Sequence, residues 1–465
     1  YPVPHQVVSD EQTFWMETLK ANRKRRVRVF VPVQVPALGY TTLYVQPKRH
    51  PRIAVESWVV EAQAAENRYL KLVIEDDGGL TLTHKASGKT YNGLNHFEDI
   101  ADTGDAYTFC PLQGDTPIVT SGHRATIRQL SAGVNAATYE IIHQLTLPAR
   151  LTMDRAARDG ETTITITSLV TLQRDCPYIQ VRTTFVNTAH DHKLSVIFPT
   201  DLQVQDAAVD ESFAVVKRAI DLPASEGWVE DPTPLMHQRA FTDLSDGQGG
   251  LAVLNRGLAA VEVTRINGGT RIAVPLVRSV GWLSRDDLWV RRIAAGPLVP
   301  TPGAQCIGER SAEYAIFPHE GDWQNVYPQA YSYTAPIIAA RADTHAGIDL
   351  HDMNITRDDP SKITHIPFPR EGELPDTYSF FTVEGSGIVV SALRQGKQGD
   401  VIVRFFNITN SDSIAQFTTT KVIAAAWQLN LNEEVEAALS VNDSHQLSLP
   451  VRAGQIVTVG LSFSN

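Results

Sequence analysis

Residues 163–167 read Thr-Ile-Thr-Ile-Thr, so polar and apolar side chains alternate strictly along this stretch. Successive side chains of a β-strand point to opposite faces of the sheet, and the alternation therefore predicts a strand that buries its isoleucines. The same pattern occurs in residues 80–83 and 179–183, with glycines and prolines between such runs. Helical intervals long enough for βαβ units are missing, so the sequence predicts an all-β protein with a large antiparallel sandwich.

At 465 residues the chain is too long for one ordinary core, and three parts are predicted. Residues 1–53 are part of a small β-domain, residues 54–340 form the large sandwich, and residues 341–465 contain a linker and a C-terminal β-domain. A capping-box pattern at Ser9–Gln12, ahead of apolar residues, predicts one short N-terminal helix. The linker is the polar stretch 341–375. C-terminal strands are predicted at Gly387–Val390, Val401–Phe406 and Ile456–Val459.

The composition excludes several classes of partner. With a formal net charge of −11 at pH 7, long-range attraction to nucleic acid or to an anionic membrane is not expected. The basic run Arg23–Arg26 stands alone and is interpreted as a solvated linker or a strand edge. No apolar stretch approaches the roughly 20 residues that span a bilayer, and the N-terminus has no secretory signal pattern. Three widely spaced cysteines favour a reducing, cytoplasmic compartment.

The densest polar cluster lies between Glu98 and Phe109, where four carboxylates fall within eight residues. Carboxylates this close repel one another unless a cation or a hydroxyl-rich ligand meets them. The functional interpretations are therefore a metal site, a sugar-orienting site or a pair of acid and base groups. A solvated acidic loop explains the same residues equally well, because Gly104 and its flanking aspartates are also common in turns.

A second candidate is His190-Asp191-His192, because alternate residues of a strand point the same way and two imidazoles can share a metal ion. No third ligand is evident in the sequence, and a surface turn is the preferred interpretation. Phosphate-binding glycine loops and the G-x-S-x-G nucleophile elbow are absent from the sequence. Nucleotide chemistry and serine-hydrolase chemistry therefore have no support.

Ten short segments occur in an order that is more informative than any one of them. They are Val35–Tyr40, Glu66-Asn67, Gly79–Leu82, Lys85–Lys89, Glu98-Asp99, Gly104–Tyr107, Asp191–Leu194, Arg278–Leu288, Ser391–Leu393 and Val403–Asn407. In this order they resemble the C-terminal region of glycoside hydrolase family 38, the α-mannosidases, and especially its bacterial mannosylglycerate-hydrolase-like branch. The resemblance runs nearly from end to end of the chain.

The resemblance implies a supersandwich of the galactose-mutarotase-like type, flanked by smaller β-sandwich domains, and an enzyme that hydrolyses α-mannosides with retention. Retention needs two carboxyl groups about 5 Å apart. In the family these groups and the zinc ligands lie mainly in an N-terminal catalytic domain, and its His-x-Asp zinc motif does not occur in this chain. We therefore expect no catalytic or metal-binding residue here, zinc only in the complete enzyme, and a chain that is inactive alone. Because the first residue is Tyr1, a processed or partial chain is expected.

The resemblance also implies site residues. In the family a tyrosine of the large sandwich reaches the bound sugar, and the match assigns this role to Tyr107. Asp102, Asp105 and, from a second matching segment, Arg278 are carried over as further substrate-binding residues. The expected partners are an α-mannoside and the N-terminal catalytic domain, in the bacterial cytoplasm. The sequence is also compatible with a homo-oligomer.

Two other functions stay open at this point. A sugar mutarotase or epimerase shares the sandwich type and needs a His and a Glu that face each other in a concave pocket. The candidate histidines for that reaction are His143 and His237. A stand-alone carbohydrate-binding or scaffolding module would bind sugar without hydrolysing it.

Overall fold

The computed structural model describes residues 6–17, 20–44, 58–340, 374–396, 399–441 and 445–464. The predicted linker at 341–375 lies almost entirely outside these residues. The chain divides into two compact units, the first comprising Tyr1–Pro32 and His50–Thr334, the second Val33–Arg49 and Ala335–Asn465. No helix within the described ranges is long and apolar enough to cross a membrane.

The strands from the start of the chain to the single α-helix are β1 (Gln6–Glu17), β2 (Lys20–Phe30), β3 (Gly39–Thr41), β4 (Val59–Val60), β5 (Ala64–Glu66), β6 (Leu70–Ile74), β7 (Leu80–His84), β8 (Thr90–Leu94), β9 (His96–Ala101), β10 (Ile118–Val119), β11 (Thr126–Ala132), β12 (Ala136–Leu147), β13 (Arg150–Leu151), β14 (Arg158–Asp159), β15 (Thr162–Gln173), β16 (Ile179–Asn187), β17 (His192–Thr200), β18 (Asp206–Glu211), β19 (Ala214–Ala219), β20 (Leu235–His237), β21 (Phe241–Ser245), β22 (Gly249–Asn255), β23 (Ala260–Ile266), β24 (Gly269–Ser279) and β25 (Gly308–Glu320). A short 3-10 helix (Pro302–Gln305) precedes β25, and α1 (Trp323–Thr334) follows it. The later strands are β26 (Thr377–Ser379), β27 (Phe381–Glu384), β28 (Ile388–Gln395), β29 (Val401–Asn407), β30 (Ser413–Thr419), β31 (Ile423–Leu429), β32 (Val435–Leu439), β33 (Gln446–Val451) and β34 (Ile456–Phe463).

The first unit packs three sheets around one core. The nine-stranded sheet has the order β11-β12-β15-β16-β25-β22-β21-β18-β19, the six-stranded sheet has the order β10-β9-β17-β24-β23-β20, and the five-stranded sheet runs from β4 to β8. Ile164 and Ile166 are fully buried in this core, whereas Thr163 and Thr165 are exposed. Burying such an isoleucine contributes roughly 1.5–3 kcal/mol. The predicted all-β sandwich is confirmed.

The predicted N-terminal helix is wrong. Residues Gln6–Glu17 form β1, which pairs antiparallel with β2 from Gln6 opposite Phe30 to Glu17 opposite Lys20. A capping box is a local signal of about 1 kcal/mol, and a short isolated helix is marginal, so a continuous ladder with the next segment outweighs it. The basic run Arg23–Arg26 lies inside β2, an edge strand of this two-stranded sheet. Within the described residues the α-helix is α1, which the sequence did not predict and which contains Pro328.

The second unit is a small β-sandwich. A three-stranded sheet of order β27-β30-β33 and a five-stranded sheet of order β28-β29-β34-β31-β32 supply its core, and β3 pairs with β26 beside them in the same unit. The rings of Phe405 and Phe417 meet in this core with centroids 4.9 Å apart. Strands β29 and β34 contain two of the C-terminal runs that the sequence predicted, and β28 contains the third except for Gly387, which lies in the preceding turn.

A buried titratable group, Asp210, lies where α1 contacts the large sandwich. Asp210 of β18 is fully buried and accepts hydrogen bonds from the Ala240 N–H at 3.0 Å and from the Tyr331 hydroxyl at 3.2 Å. Burial raises the pKa of the Asp210 carboxyl to about 6, because these two hydrogen bonds only partly offset the loss of solvation. The ordinary value in an unfolded chain is about 3.9.

The wild-type chain is expected to lose stability relative to Asp210→Asn as pH rises from about 4 to 6. The folded state holds the proton more tightly than the unfolded state, so the protonated acid stabilises the fold below pH 4 and this contribution disappears above pH 6. The difference amounts to at most about 3 kcal/mol. Urea unfolding of both proteins between pH 4 and 7 measures it. Asp206→Asn, at the exposed start of the same strand, is the control variant.

Candidate functional site

The loop between β9 and β10 contains the predicted site. Asp102, the first residue of this loop, holds its backbone through hydrogen bonds. The Asp102 carboxylate is fully buried and accepts the Gly104 N–H at 2.8 Å and the Cys110 N–H at 3.2 Å. Its second oxygen accepts the Arg278 Nε–H at 2.6 Å. Burial raises the pKa of the Asp102 carboxyl, and the Arg278 charge offsets this only in part. Asp102 therefore stabilises the conformation of its own loop.

Arg278 reaches the loop from β24 and holds it at two further points. Its Nη2 donates to the carbonyl oxygens of Asp105 at 2.6 Å and Thr108 at 2.7 Å, besides the bond of its Nε to Asp102. The Cζ atom of its guanidinium also lies 5.9 Å from the centre of the Phe109 ring. A planar guanidinium is suited to several simultaneous bonds of this kind. Arg278 is thus bonded to the loop that carries Tyr107.

Asp105 fixes the tip of the loop. One carboxylate oxygen accepts the N–H groups of Tyr107 at 3.0 Å and Thr108 at 2.9 Å, and the other accepts the Arg285 N–H at 2.7 Å. The guanidinium of Arg291, itself buried, donates to Asp105 and to the Thr108 hydroxyl. Burial opposes ionisation, but the Arg291 hydrogen bond and the backbone donors outweigh it and lower the pKa of Asp105. Asp105 is an ionised, buried anchor.

Tyr107 differs from the other three predicted substrate-binding residues. Its side chain is 57% exposed, whereas Asp102 and Asp105 are fully buried and the Arg278 guanidinium is bonded to the loop. The structure therefore brings all four residues together, with Tyr107 as the one that is largely exposed. A phenol held on a rigid loop can donate to and accept from a sugar hydroxyl.

The loop is bordered by segments that expose apolar side chains. The Trp289 indole donates to the Pro111 carbonyl at 2.9 Å, and the Ala106 N–H donates to the Trp282 carbonyl at 3.0 Å. Segments 228–231 and 298–300 are hydrogen-bonded in turn to segment 282–292. The exposed apolar side chains of these segments and of the adjoining residue 293, called the apolar collar below, are Trp228, Val229, Trp289, Ile293, Leu298 and Val299.

The acidic cluster is neither a solvated loop nor a set of free acids. All four of its carboxylates are buried, and each is paired with an arginine from a different place in the chain. The pairs are Glu98 with Arg271, Asp99 with Arg158, Asp102 with Arg278, and Asp105 with Arg291. Sequence reasoning missed Arg158, Arg271 and Arg291, because nothing in their local sequence marks them as partners of this cluster.

The histidine candidates lie apart from the loop tip. Asp191 occupies a bend with φ of +51°. His192 is buried at the start of β17 with its Nδ1 2.5 Å from the Asp99 carboxylate, so the predicted surface position is wrong for this histidine. His143 is buried and its Nε2 lies 2.9 Å from the Asp77 carbonyl oxygen. In the part of the chain that the structure describes, no group of three or more His, Cys, Asp or Glu side chains is arranged to hold a metal ion. Both ring nitrogens of His192 are within hydrogen-bond distance of other side chains, Asp99 and Asn187, so this histidine is not free to bind a metal ion.

Comparisons with known proteins agree with the resemblance seen in the sequence. Residues 65–287 match the family described as "Glycosyl hydrolases family 38 C-terminal domain" and residues 387–459 match its "C-terminal beta sandwich domain". A provisionally named mannosylglycerate hydrolase of Halalkalibacterium halodurans is 26% identical over 444 residues, which cover 91% of this chain and 44% of that protein. The chain thus spans less than half the length of this curated relative.

Two solved structures share the fold. The α-mannosidase from Enterococcus faecalis and a family 38 protein from the same organism are each 24% identical to the chain, with a TM-score of 0.77. Each comparison covers 99% of this chain, but only 50% and 51% of the respective structures. Both family matches are to C-terminal domains, and the match at 65–287 precedes the match at 387–459. The chain belongs to the C-terminal region of glycosyl hydrolase family 38.

Proposed function

We propose that the chain is the β-sandwich part of a retaining α-mannosidase-type glycoside hydrolase, that it forms one wall of a composite active site, and that it is inactive alone. The substrate class is supported by the names of its relatives, a mannosylglycerate hydrolase and an α-mannosidase. The observation that carries the proposal is the largely exposed Tyr107 on a loop whose two neighbouring aspartates, Asp102 and Asp105, are buried and paired with arginines.

In this proposal Tyr107 contacts the sugar, and the other three residues contribute to binding by holding its loop. Asp102, Asp105 and Arg278 make their hydrogen bonds within the protein, so they pre-organise the phenol rather than reorganise when substrate arrives. A pre-formed contact loses less conformational freedom on binding than a mobile one. The wall is therefore suited to orient a mannoside.

The catalytic groups are proposed to come from outside this chain. Retaining hydrolysis needs a nucleophile and an acid/base about 5 Å apart across the anomeric carbon. The four carboxylates of the acidic cluster are each paired with an arginine in the scaffold, so none is available to a substrate. Zinc is assigned to the complete enzyme, with ligands in the portion of the relatives that this chain does not cover. The apolar collar is suited to be covered by that portion.

The first test is hydrolysis of an aryl α-mannoside and of mannosylglycerate by the full-length protein. Tyr107→Phe is expected to lower kcat/KM by about 5- to 10-fold, the value of one hydrogen bond, and Tyr107→Ala is expected to lower it further. Tyr69→Phe, at a partly exposed tyrosine of another loop, is the matched control and should be neutral. Mannose release by the 465-residue chain alone would contradict the proposed division of labour.

The mutarotase alternative is not favoured by the contacts of its two candidate histidines, because the Nε2 atom of the buried His143 lies 2.9 Å from the Asp77 carbonyl oxygen. His237 lies 2.7 Å from the Glu211 carboxylate, so the two groups bond directly and leave no space between them for a sugar. The binding-module alternative is separated by calorimetry, because one wall of a composite site should bind mannose only weakly. Micromolar binding of mannose by the isolated chain would favour the module.

We also propose that the protein works in the bacterial cytoplasm. The support is that Cys110, Cys176 and Cys306 are all free thiols, which a reducing compartment preserves. Fractionation of the producing cells tests this proposal, and the protein is expected in the soluble cytoplasmic fraction.

A further inference from the structure

The Tyr107 ring rests against the backbone of Gly296. A Cβ atom placed on Gly296 would lie 3.0 Å from the Tyr107 hydroxyl oxygen and 3.2 Å from its Cε2 atom. These distances are shorter than ordinary van der Waals contact, so any side chain at residue 296 would displace the ring. The ring is free to yield, because Tyr107 is largely exposed. The position of the Tyr107 ring therefore depends on the absence of a side chain at Gly296.

Gly296 is itself held in place. The hydroxyl oxygen of Ser284, which is fully buried, accepts the N–H groups of Ala295 at 2.9 Å and Gly296 at 3.1 Å. The same oxygen lies 3.4 Å from Nη2 of Arg291, the residue that anchors Asp105. One hydrogen-bonded network therefore fixes both the loop that carries Tyr107 and the segment on which its ring rests.

We infer that Gly296 is a positioning residue for Tyr107, whose ring it seats at the site where the α-mannoside binds. The inference rests on the proposed function of Tyr107 in sugar binding. The pose of a substrate-contacting group matters steeply in catalysis, since a displacement of about 1 Å can cost on the order of 100-fold in rate. A methyl group at residue 296 moves the phenol by tenths of an ångström without disturbing the buried network.

The first experiment observes the ring in the 465-residue chain, independently of activity. The 13 tyrosines are labelled as 3-fluorotyrosine, and the Tyr107 resonance is assigned as the one lost in Tyr107→Phe. Gly296→Ala is expected to shift this resonance while the melting temperature stays within about 2 °C. The control is Gly303→Ala, because a Cβ atom on Gly303 meets no atom within 4 Å. An unshifted Tyr107 resonance in Gly296→Ala overturns the inference.

The second experiment is a double-mutant cycle on hydrolysis by the full-length protein. Gly296→Ala is expected to lower kcat/KM several-fold when Tyr107 is present and to have no effect in a Tyr107→Ala background, where no ring is left to displace. An equal loss in both backgrounds overturns the inference. A shifted resonance together with unchanged hydrolysis in both Gly296→Ala and Tyr107→Ala supports the seating of the ring and refutes the proposed function.

Discussion

Arg291→Met is expected to destabilise the first unit by about 3–5 kcal/mol, because it leaves the ionised Asp105 buried without its partner. Both side chains of this pair are almost completely inaccessible to solvent. The Asp105 carboxylate would keep only its backbone donors, among them the N–H of Thr108. Urea unfolding at neutral pH measures the change in the free energy of unfolding.

The control for this experiment is Arg285→Met, which removes a guanidinium from the same segment. Arg285 pairs with Asp287, and although the Arg285 side chain is 15% exposed, that of Asp287 is 57% exposed. Solvent screens a pair with one exposed partner, so its contribution is expected to be about 1 kcal/mol or less. The double variant Arg291→Met/Asp105→Asn should recover part of the lost stability, since it also removes the buried charge. Similar losses for Arg291→Met and Arg285→Met would show that the buried pair does not support the loop as described.

Arg278→Met is expected to lose several kcal/mol as well, and the loss should grow with pH. Burial already raises the pKa of Asp102, and the Arg278 charge opposes that rise. Without the arginine the pKa of Asp102 rises further above the unfolded value of about 3.9, so the carboxyl stabilises the fold only while protonated. Unfolding in urea at pH 5 and pH 8 should show the larger deficit at pH 8.

Two further measurements separate loss of charge pairing from loss of function in Arg278→Met. Adding Asp102→Asn should remove most of the pH dependence, because no buried carboxyl is left to titrate. In the full-length protein, Arg278→Met should lower kcat/KM more than Tyr107→Phe does, since the whole loop loses its three Arg278 bonds. A pH-independent deficit, or full hydrolytic activity, would contradict this account of Arg278.

Local pattern was sufficient for most of the fold. The alternation at 163–167 predicted a half-buried strand, and Ile164 and Ile166 are buried as required. The local pattern gave a wrong prediction at the N-terminus, where the capping signal at Ser9–Gln12 predicted a helix but the segment forms β1, paired with β2. It also failed at α1, which is a helix despite Pro328 and packs against β21, β22 and β25. Both failures concern short segments whose conformation depends on the neighbour they meet.

The sequence by itself determined the all-β class, the family, and the segment in which Tyr107 lies. Only the tertiary structure decided what the acidic residues beside Tyr107 do, because their partners are remote in sequence. The separations are 173 residues for Glu98 and Arg271, 59 for Asp99 and Arg158, 176 for Asp102 and Arg278, and 186 for Asp105 and Arg291. A carboxylate's role depends on the charge and solvation around it, and both are set by residues that only folding brings near.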